Sequence, residues 1–305
     1  MATSPPIPFP SQFDLLRGVI HTTNLILSSH TRHFLCLAIL FLLPFSSLLL
    51  TLPSFPLPSA PNSLLRSPLS PPLPYPVYLT LFPLLLLSLT SISLSVNHGF
   101  FGRPVKLVST LTSLPLPFLR LLLTFLSSLL LLSALLTLIA SLLFLFLRLH
   151  TPLLLIYLSF GTVTTISVVF LFINWSLSGP ISVLESSTGF SPLSRSTQLI
   201  KGMRLAALSL FIFFTMAISL IVWGFNVGPA NWGEVFHMVA KMVLGSGMIV
   251  VMLLYWSVAN VVMYMYCKGL HGELAGEIAE EFASEYVRLP FDDNKVPYVV
   301  SVIRE

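Results

Sequence analysis

Six uninterrupted apolar stretches dominate this amino-acid sequence, and none of them contains Asp, Glu, Lys, Arg or His. A helix that crosses the hydrocarbon core of a bilayer needs about 20 consecutive apolar residues. The stretches are continuously apolar, without alternating polar positions, so they predict membrane-spanning helices and argue against barrel strands. The predicted spans cover residues 34–52, 77–96, 121–147, 153–175, 205–225 and 242–266.

The composition agrees with lipid as the main solvent of the chain. Hydrophobic residues make up 55% of the 305 residues and charged residues only 9%, whereas a soluble domain carries roughly 25% charged residues. We therefore predict an all-α fold, a polytopic membrane bundle of six transmembrane helices, with amphipathic interfacial helices at the N-terminus and in the fourth loop. The bundle occupies residues 34–266, between an N-tail (1–33) and a C-tail (267–305).

The basic residues predict how this bundle is oriented. The N-tail, the second loop, the fourth loop and the C-tail hold 12 of the 15 Lys and Arg residues, and the remaining loops hold 3. Cytoplasmic loops of membrane proteins carry an excess of Lys and Arg. Both termini are therefore predicted to be cytosolic, which requires an even number of spans. Because the basic residues lie singly between apolar stretches, we expect no nucleic-acid partner.

The N-tail contains the pattern of an amphipathic helix. Ser11 and Asp14 have the spacing of a capping box, which marks a helix start. Apolar residues then recur at helical spacing; they are Phe13, Leu16, Val19, Ile20 and Leu27. Such a helix is expected to lie in the cytosolic headgroup region. Two roles are open to it: sensing of lipids or curvature, and bracing of the bundle as a lead-in to the first span.

Prolines interrupt the first part of the predicted membrane domain. Pro44 and Pro83 lie inside the first and second spans, where each removes a backbone hydrogen bond and is expected to kink its helix. The loop between these spans, residues 52–76, carries nine prolines. A segment of that composition is expected to be extended and solvated, so we interpret this loop as a spacer.

The fourth loop is the most distinctive stretch between the spans. Gly189 and Pro192 predict a turn, and residues 193–204 are predicted to form a basic helix whose apolar residues enter the bilayer. Glu185 is the only acidic residue between the first and fifth spans. We expect it to pair with Arg195 and fix an elbow in the chain. The alternative is a lipid-headgroup pocket formed by Arg195, Lys201 and Arg204.

Two motifs resemble known membrane proteins. The first, P-x-x-VLE-x(3)-G-x(3)-L-x-RS-x(2)-L-x-KG, runs from Pro180 to Gly202 and resembles the signature of a broad group of six-helix proteins. That group includes the membrane domain fused to some bacterial glycerophosphodiester phosphodiesterases. The second, YVRLPFDDNKVPYVVSV at 286–302, resembles a family of plant multi-pass membrane proteins of uncharacterised function. The resemblance implies a six-helix domain with cytosolic ends and no enzymatic activity, because the phosphodiesterase is a separate soluble domain.

The C-tail has the pattern of an acidic amphipathic helix. Apolar residues recur at every fourth position with glutamates between them; they are Leu270, Leu274, Ile278, Phe282 and Tyr286. An anionic membrane surface repels such an acidic face, so this helix is expected to dock on protein. The docking site is either the basic fourth loop or a separate protein partner. The run that ends at 297–302 could add as a strand to such a partner.

No catalytic motif accompanies these elements. Enzymes need titratable groups or a metal near their chemistry, and the spans have no ionisable side chain, so we expect no catalytic site, metal or cofactor. Asn260, inside the sixth span, is expected to form a hydrogen bond between helices. The sequence favours a scaffolding, regulatory or membrane-organising role in membranes of the secretory pathway, with membrane lipids as partners. The alternative is a transporter or binding protein for a lipid or another hydrophobic substrate.

Overall fold

The computed structural model describes residues 12–51, 74–101, 107–148, 153–225 and 235–276. Within these ranges the chain forms helices, and six of them are long and apolar enough to cross a membrane, which confirms the predicted six-helix membrane fold. The spans, in chain order, are Thr31–Thr51, Pro74–Phe100, Pro115–Arg148, Leu153–Trp175, Arg204–Gly224 and Val235–Leu270. Outside them lie an N-terminal helix, Gln12–Ser29, and a short helix, Leu107–Ser113.

The first span contains a widened turn next to its proline. Residues Ala38–Leu42 form a π-helical turn, and Pro44 follows at the second position of the helical segment Leu43–Thr51. A proline inside a helix lacks the N–H that would bond four residues back, and its ring crowds the preceding turn. The wider turn relieves that crowding while the chain stays helical. In the second span, the helix runs on through Pro83.

The N-terminal helix packs on the bundle. Val19 is completely buried, and the hydroxyl oxygens of Thr22 and Tyr266 share a hydrogen bond of 2.9 Å. Gly18 gives Tyr266 room, because a Cβ there would lie 3.1 Å from the tyrosine hydroxyl. Of the predicted apolar face, Phe13 stays 83% exposed. These contacts favour the bracing role over an isolated helix in the headgroups. Ser11, the first residue of the predicted capping box, lies outside the described residues.

The third span lies at the periphery of the bundle. With 34 residues it is the second-longest of the described helices. None of the residues in its most apolar part is buried. Its exposed leucines face the lipid, as expected for the outer surface of a membrane protein. Its buried residues lie in the first turns, at Leu121, Thr124 and Ser127, where the helix packs against the rest of the bundle.

The last described residues, 268–276, include the end of the sixth span and belong to the second of two compact units of the chain. The sixth span ends at Leu270, and Gly272 follows with a φ of 76°. Glycine adopts this left-handed conformation readily, and it ends the helix. The predicted acidic helix therefore does not run on continuously from Leu270, and its residues after Gly276 lie outside the described part, as does the run at 297–302.

Candidate functional site

The chain turns sharply between the fourth and fifth spans, in a segment that we call the elbow (residues 176–203). It consists of two short helices, Ser178–Leu184 and Ser191–Leu199, named here the first and second elbow helices. The link between them needs left-handed backbone, with a φ of 57° at Ser186 and 70° at Gly189. Such angles cannot continue a right-handed helix, so the chain reverses here.

Glu185 is at the centre of the elbow. Its Oε2 lies 3.5 Å from Nε of Arg195, so the predicted pair is present. Its Oε1 accepts a hydrogen bond of 2.9 Å from the Tyr264 hydroxyl of the sixth span. The Tyr264 side chain is almost completely buried. The single acidic residue of the elbow therefore joins the two elbow helices to the sixth span.

Three further hydrogen bonds attach the elbow to the third and fourth spans. Arg120 donates from Nη1 to the Ser186 hydroxyl at 2.6 Å. The Ser127 hydroxyl donates to the Gly189 carbonyl at 2.8 Å, and the Ser196 hydroxyl donates to the Asn174 carbonyl at 2.6 Å. These links could not be predicted from the sequence, because serine is frequent at the interfaces of membrane helices and no local pattern identifies its partner.

The second elbow helix differs from its prediction in two respects. It ends at Leu199, and Gly202, with a φ of 101°, separates it from Arg204, which is the first residue of the fifth span. Its apolar residues do not enter the bilayer, since Leu193 and Leu199 are 3% and 1% exposed and are buried within the protein. An amphipathic pattern indicates that one face of a helix is shielded from water, but it does not indicate whether lipid or protein shields it.

The remaining predicted site residues are not brought together with the ion pair. Lys201 and Arg204 are exposed. Among the described residues, neither side chain forms a hydrogen bond or an ion pair. Arg195 is paired with Glu185, and the lipid-headgroup pocket of Arg195, Lys201 and Arg204 stays a prediction.

A cavity of about 220 Å³ lies next to the elbow, inside the bundle. The first elbow helix forms part of its wall, and the second to sixth spans supply the rest. The residues that line the cavity come from the start of the third and fifth spans and from the later part of the sixth. These parts of the spans are the ones nearest the elbow, so the cavity occupies that half of the bundle. The predicted topology puts this half in the cytosolic leaflet.

The cavity wall is apolar and aromatic, with a few uncharged polar groups. Phe125, Phe172 and Phe211 line it, and the Phe172 and Phe211 rings are in contact at 5.1 Å. The polar lining residues are Ser93, Thr124, Ser128, Ser176, Ser178, Ser257 and Asn260. The described lining includes no ionisable side chain. A wall of this kind accommodates hydrocarbon and offers hydrogen bonds.

Asn260 has a different role from the one predicted. Its Nδ2 donates to the Trp256 carbonyl of the same helix at 3.0 Å. Within the described part of the chain it makes no hydrogen bond to another helix. Its side chain lines the cavity instead, a placement that no local sequence pattern indicates.

Comparison with known proteins identifies one family. The family described as a domain of unknown function (DUF8558) matches residues 74–296. This region contains the elbow and all the residues that line the cavity. No curated protein and no solved structure matches the chain.

Proposed function

The chain belongs to the DUF8558 family, and we propose that it is a membrane protein that binds a lipid or another hydrophobic molecule inside its helical bundle. The observation that carries this proposal is the cavity beside the elbow. It lies between five spans and has an apolar, aromatic wall with a few hydrogen-bonding groups. Sites for small hydrophobic molecules have this composition, and they often lie between the helices of a bundle.

The size of the cavity suggests that it holds only part of its ligand. Its volume of about 220 Å³ is larger than the ~150 Å³ apolar cavity that holds benzene but smaller than a typical small-molecule site of about 300–1,000 Å³. Phe172 lines the cavity and is 49% exposed. A ligand that enters beside Phe172 would keep its remaining length in the surrounding lipid.

The chemistry of the wall separates this proposal from catalysis and from ion transport. Ion-coupled transporters place ionisable residues near the middle of the membrane, and membrane enzymes need titratable groups or a metal. The described lining offers neither. We therefore propose a non-enzymatic role in which the protein holds or moves an uncharged or largely apolar molecule.

The scaffolding role favoured by the sequence depends on the C-tail. Most of that tail, residues 277–305, lies outside the described residues, so the scaffolding proposal continues to rest on the sequence pattern. We also keep the proposed location in the secretory pathway, with both termini in the cytosol. One part of this proposal, that the N-terminal helix and the end of the sixth span lie on the same side of the membrane, is supported by the hydrogen bonds of the N-terminal helix and the elbow with Tyr266 and Tyr264.

Purification in mild detergent followed by mass spectrometry of bound lipids tests the proposal. We expect a lipid at about one copy per chain. Gly179 lines the cavity, and the nearest atom to a Cβ there is 3.9 Å away. Gly179→Leu should therefore fill the cavity and displace the ligand without a steric conflict in the backbone.

The matched control is Gly247→Leu. Gly247 lies in the sixth span, it does not line the cavity, and a Cβ added there would meet no atom within 4 Å. This variant should retain the lipid at the level of the unmodified protein. Lipid binding that is absent from the unmodified protein, or that survives Gly179→Leu unchanged, contradicts the proposed function.

A further inference from the structure

The second span has five buried hydroxyl side chains within eight residues, at 88, 90, 91, 93 and 95. Four of them donate to carbonyl groups of their own helix, at 2.7 to 3.1 Å. Serine and threonine in membrane helices commonly satisfy their hydroxyls in this way, because a polar group without a partner is costly in an apolar environment. Ser93 is the exception.

Ser93 is only 4% exposed, yet its hydroxyl forms no hydrogen bond with any described residue. It is also the only one of the five that lines the cavity. A molecule in the cavity can therefore supply its hydrogen-bond partner. The same reasoning applies to Asn260, whose Nδ2 bonds to Trp256 while its Oδ1 accepts no hydrogen bond from the described residues.

The cavity thus offers one hydroxyl from the second span and one amide oxygen from the sixth span, and both are uncharged. The Ser93 hydroxyl can donate to a hydroxyl or an ester oxygen, and Oδ1 of Asn260 can accept from a hydroxyl. A carboxylate, phosphate or ammonium group would lose its hydration here without gaining an opposite charge, which costs several kcal/mol per ion. The wall therefore discriminates against a charged group.

We propose that the ligand is an uncharged amphiphile, with one apolar chain and a polar end that carries a hydroxyl group, which Ser93 and Asn260 bind. This inference rests on the proposed function and adds the chemical class of the ligand. The polar group lies inside the bundle near the elbow, and the chain leaves beside Phe172 into the cytosolic leaflet. A phospholipid does not meet this description, because its charged phosphate would have to remain outside the cavity.

Photo-crosslinking of the full-length protein in detergent tests the inference with two probes. One is a monoacylglycerol with a diazirine in its acyl chain, and the other is an alkyl sulfonate with the same chain and diazirine. The monoacylglycerol should label peptides that line the cavity, identified by mass spectrometry, and the permanently charged sulfonate should not.

Ser93→Ala and Asn260→Leu should each weaken saturable labelling by the monoacylglycerol about fivefold, the ratio that corresponds to one hydrogen bond of about 1 kcal/mol. Ser88→Ala is the matched control. Ser88 is a buried serine of the same helix, it bonds to the Leu85 carbonyl, and it does not line the cavity. This variant should bind like the unmodified protein.

The outcomes separate the inference from the proposed function. Equal labelling of the cavity by both probes, or unchanged affinity in both cavity variants, overturns the uncharged-ligand inference and leaves hydrophobic binding intact. Absence of cavity labelling by either probe overturns the uncharged-ligand inference, whereas absence of co-purified lipid from the unmodified protein is the result that overturns the proposed function.

Discussion

Removal of one hydroxyl, by Tyr264→Phe, should loosen the elbow measurably. The Tyr264 hydroxyl donates to Oε1 of Glu185 at 2.9 Å, and its side chain is 1% exposed. A hydrogen bond to a charged group contributes about 1.5–3 kcal/mol to stability. The Glu185 side chain is 21% exposed and keeps its contact with Arg195, so part of the loss is recovered by solvent.

We expect Tyr264→Phe to lower the free energy of unfolding by about 1.5–2 kcal/mol, which corresponds to roughly a 10- to 30-fold change in the folding equilibrium. Tyr266→Phe, two residues later, provides the control. It removes a hydrogen bond between two neutral hydroxyls, those of Tyr266 and Thr22. Bonds of this kind between membrane helices contribute only about 0.6 kcal/mol on average.

Unfolding of the purified protein by SDS in mixed micelles, followed by circular dichroism or tryptophan fluorescence, measures both values. A double-mutant cycle of Tyr264→Phe with Glu185→Ala then isolates the shared contact, with an expected coupling of about 1–2 kcal/mol. Arg195→Ala alone should cost less, about 0.5–1 kcal/mol, because its side chain is 34% exposed. Equal effects of the two tyrosine variants, or full additivity in the cycle, would refute this account of the elbow.

Three further predictions use the same preparation. Gly245→Ala should destabilise the protein by about 1–3 kcal/mol, because a Cβ there would lie 2.9 Å from two side chains; in the same titration, Gly247→Ala, which meets nothing within 4 Å, should be neutral or slightly stabilising. Ser196→Ala should cost about 1–2 kcal/mol through its lost bond to the Asn174 carbonyl, whereas the exposed Ser194→Ala should change little. Epitope tags on both termini should be accessible to protease from the cytosolic side of intact microsomes, and protection of a single tag would contradict the predicted orientation.

The spans could be predicted closely because each of them must supply about 20 consecutive apolar residues to cross the bilayer. The fourth span has the predicted bounds, Leu153–Trp175. The sixth span begins at Val235, seven residues before its predicted start, because the prediction excluded ionisable residues such as Lys241. Backbone hydrogen bonding continues past the hydrocarbon core into the interface, where such side chains are tolerated.

The elbow and the cavity show where local patterns stop being informative. The pair of Glu185 and Arg195 was predictable, since Glu185 is the only acidic residue available in a long stretch of the chain. Its bond to Tyr264 was not, because 79 residues separate the two and tyrosine is common at membrane interfaces. The cavity is a space left between five spans and the first elbow helix, so it depends on packing distances that no single segment encodes.

The 34 residues of the third span have a consequence for the kind of bilayer that suits the protein. Its apolar stretch, residues 121–147, extends about 40 Å, whereas the hydrocarbon core is about 30 Å thick. Arg120 holds the start of the helix at the elbow through Ser186, so the helix accommodates the mismatch by tilting or by thickening the lipid around its far end. In a thinner bilayer the helix would have to tilt more, and the resulting strain would act on the elbow through the hydrogen bond of Arg120 with Ser186.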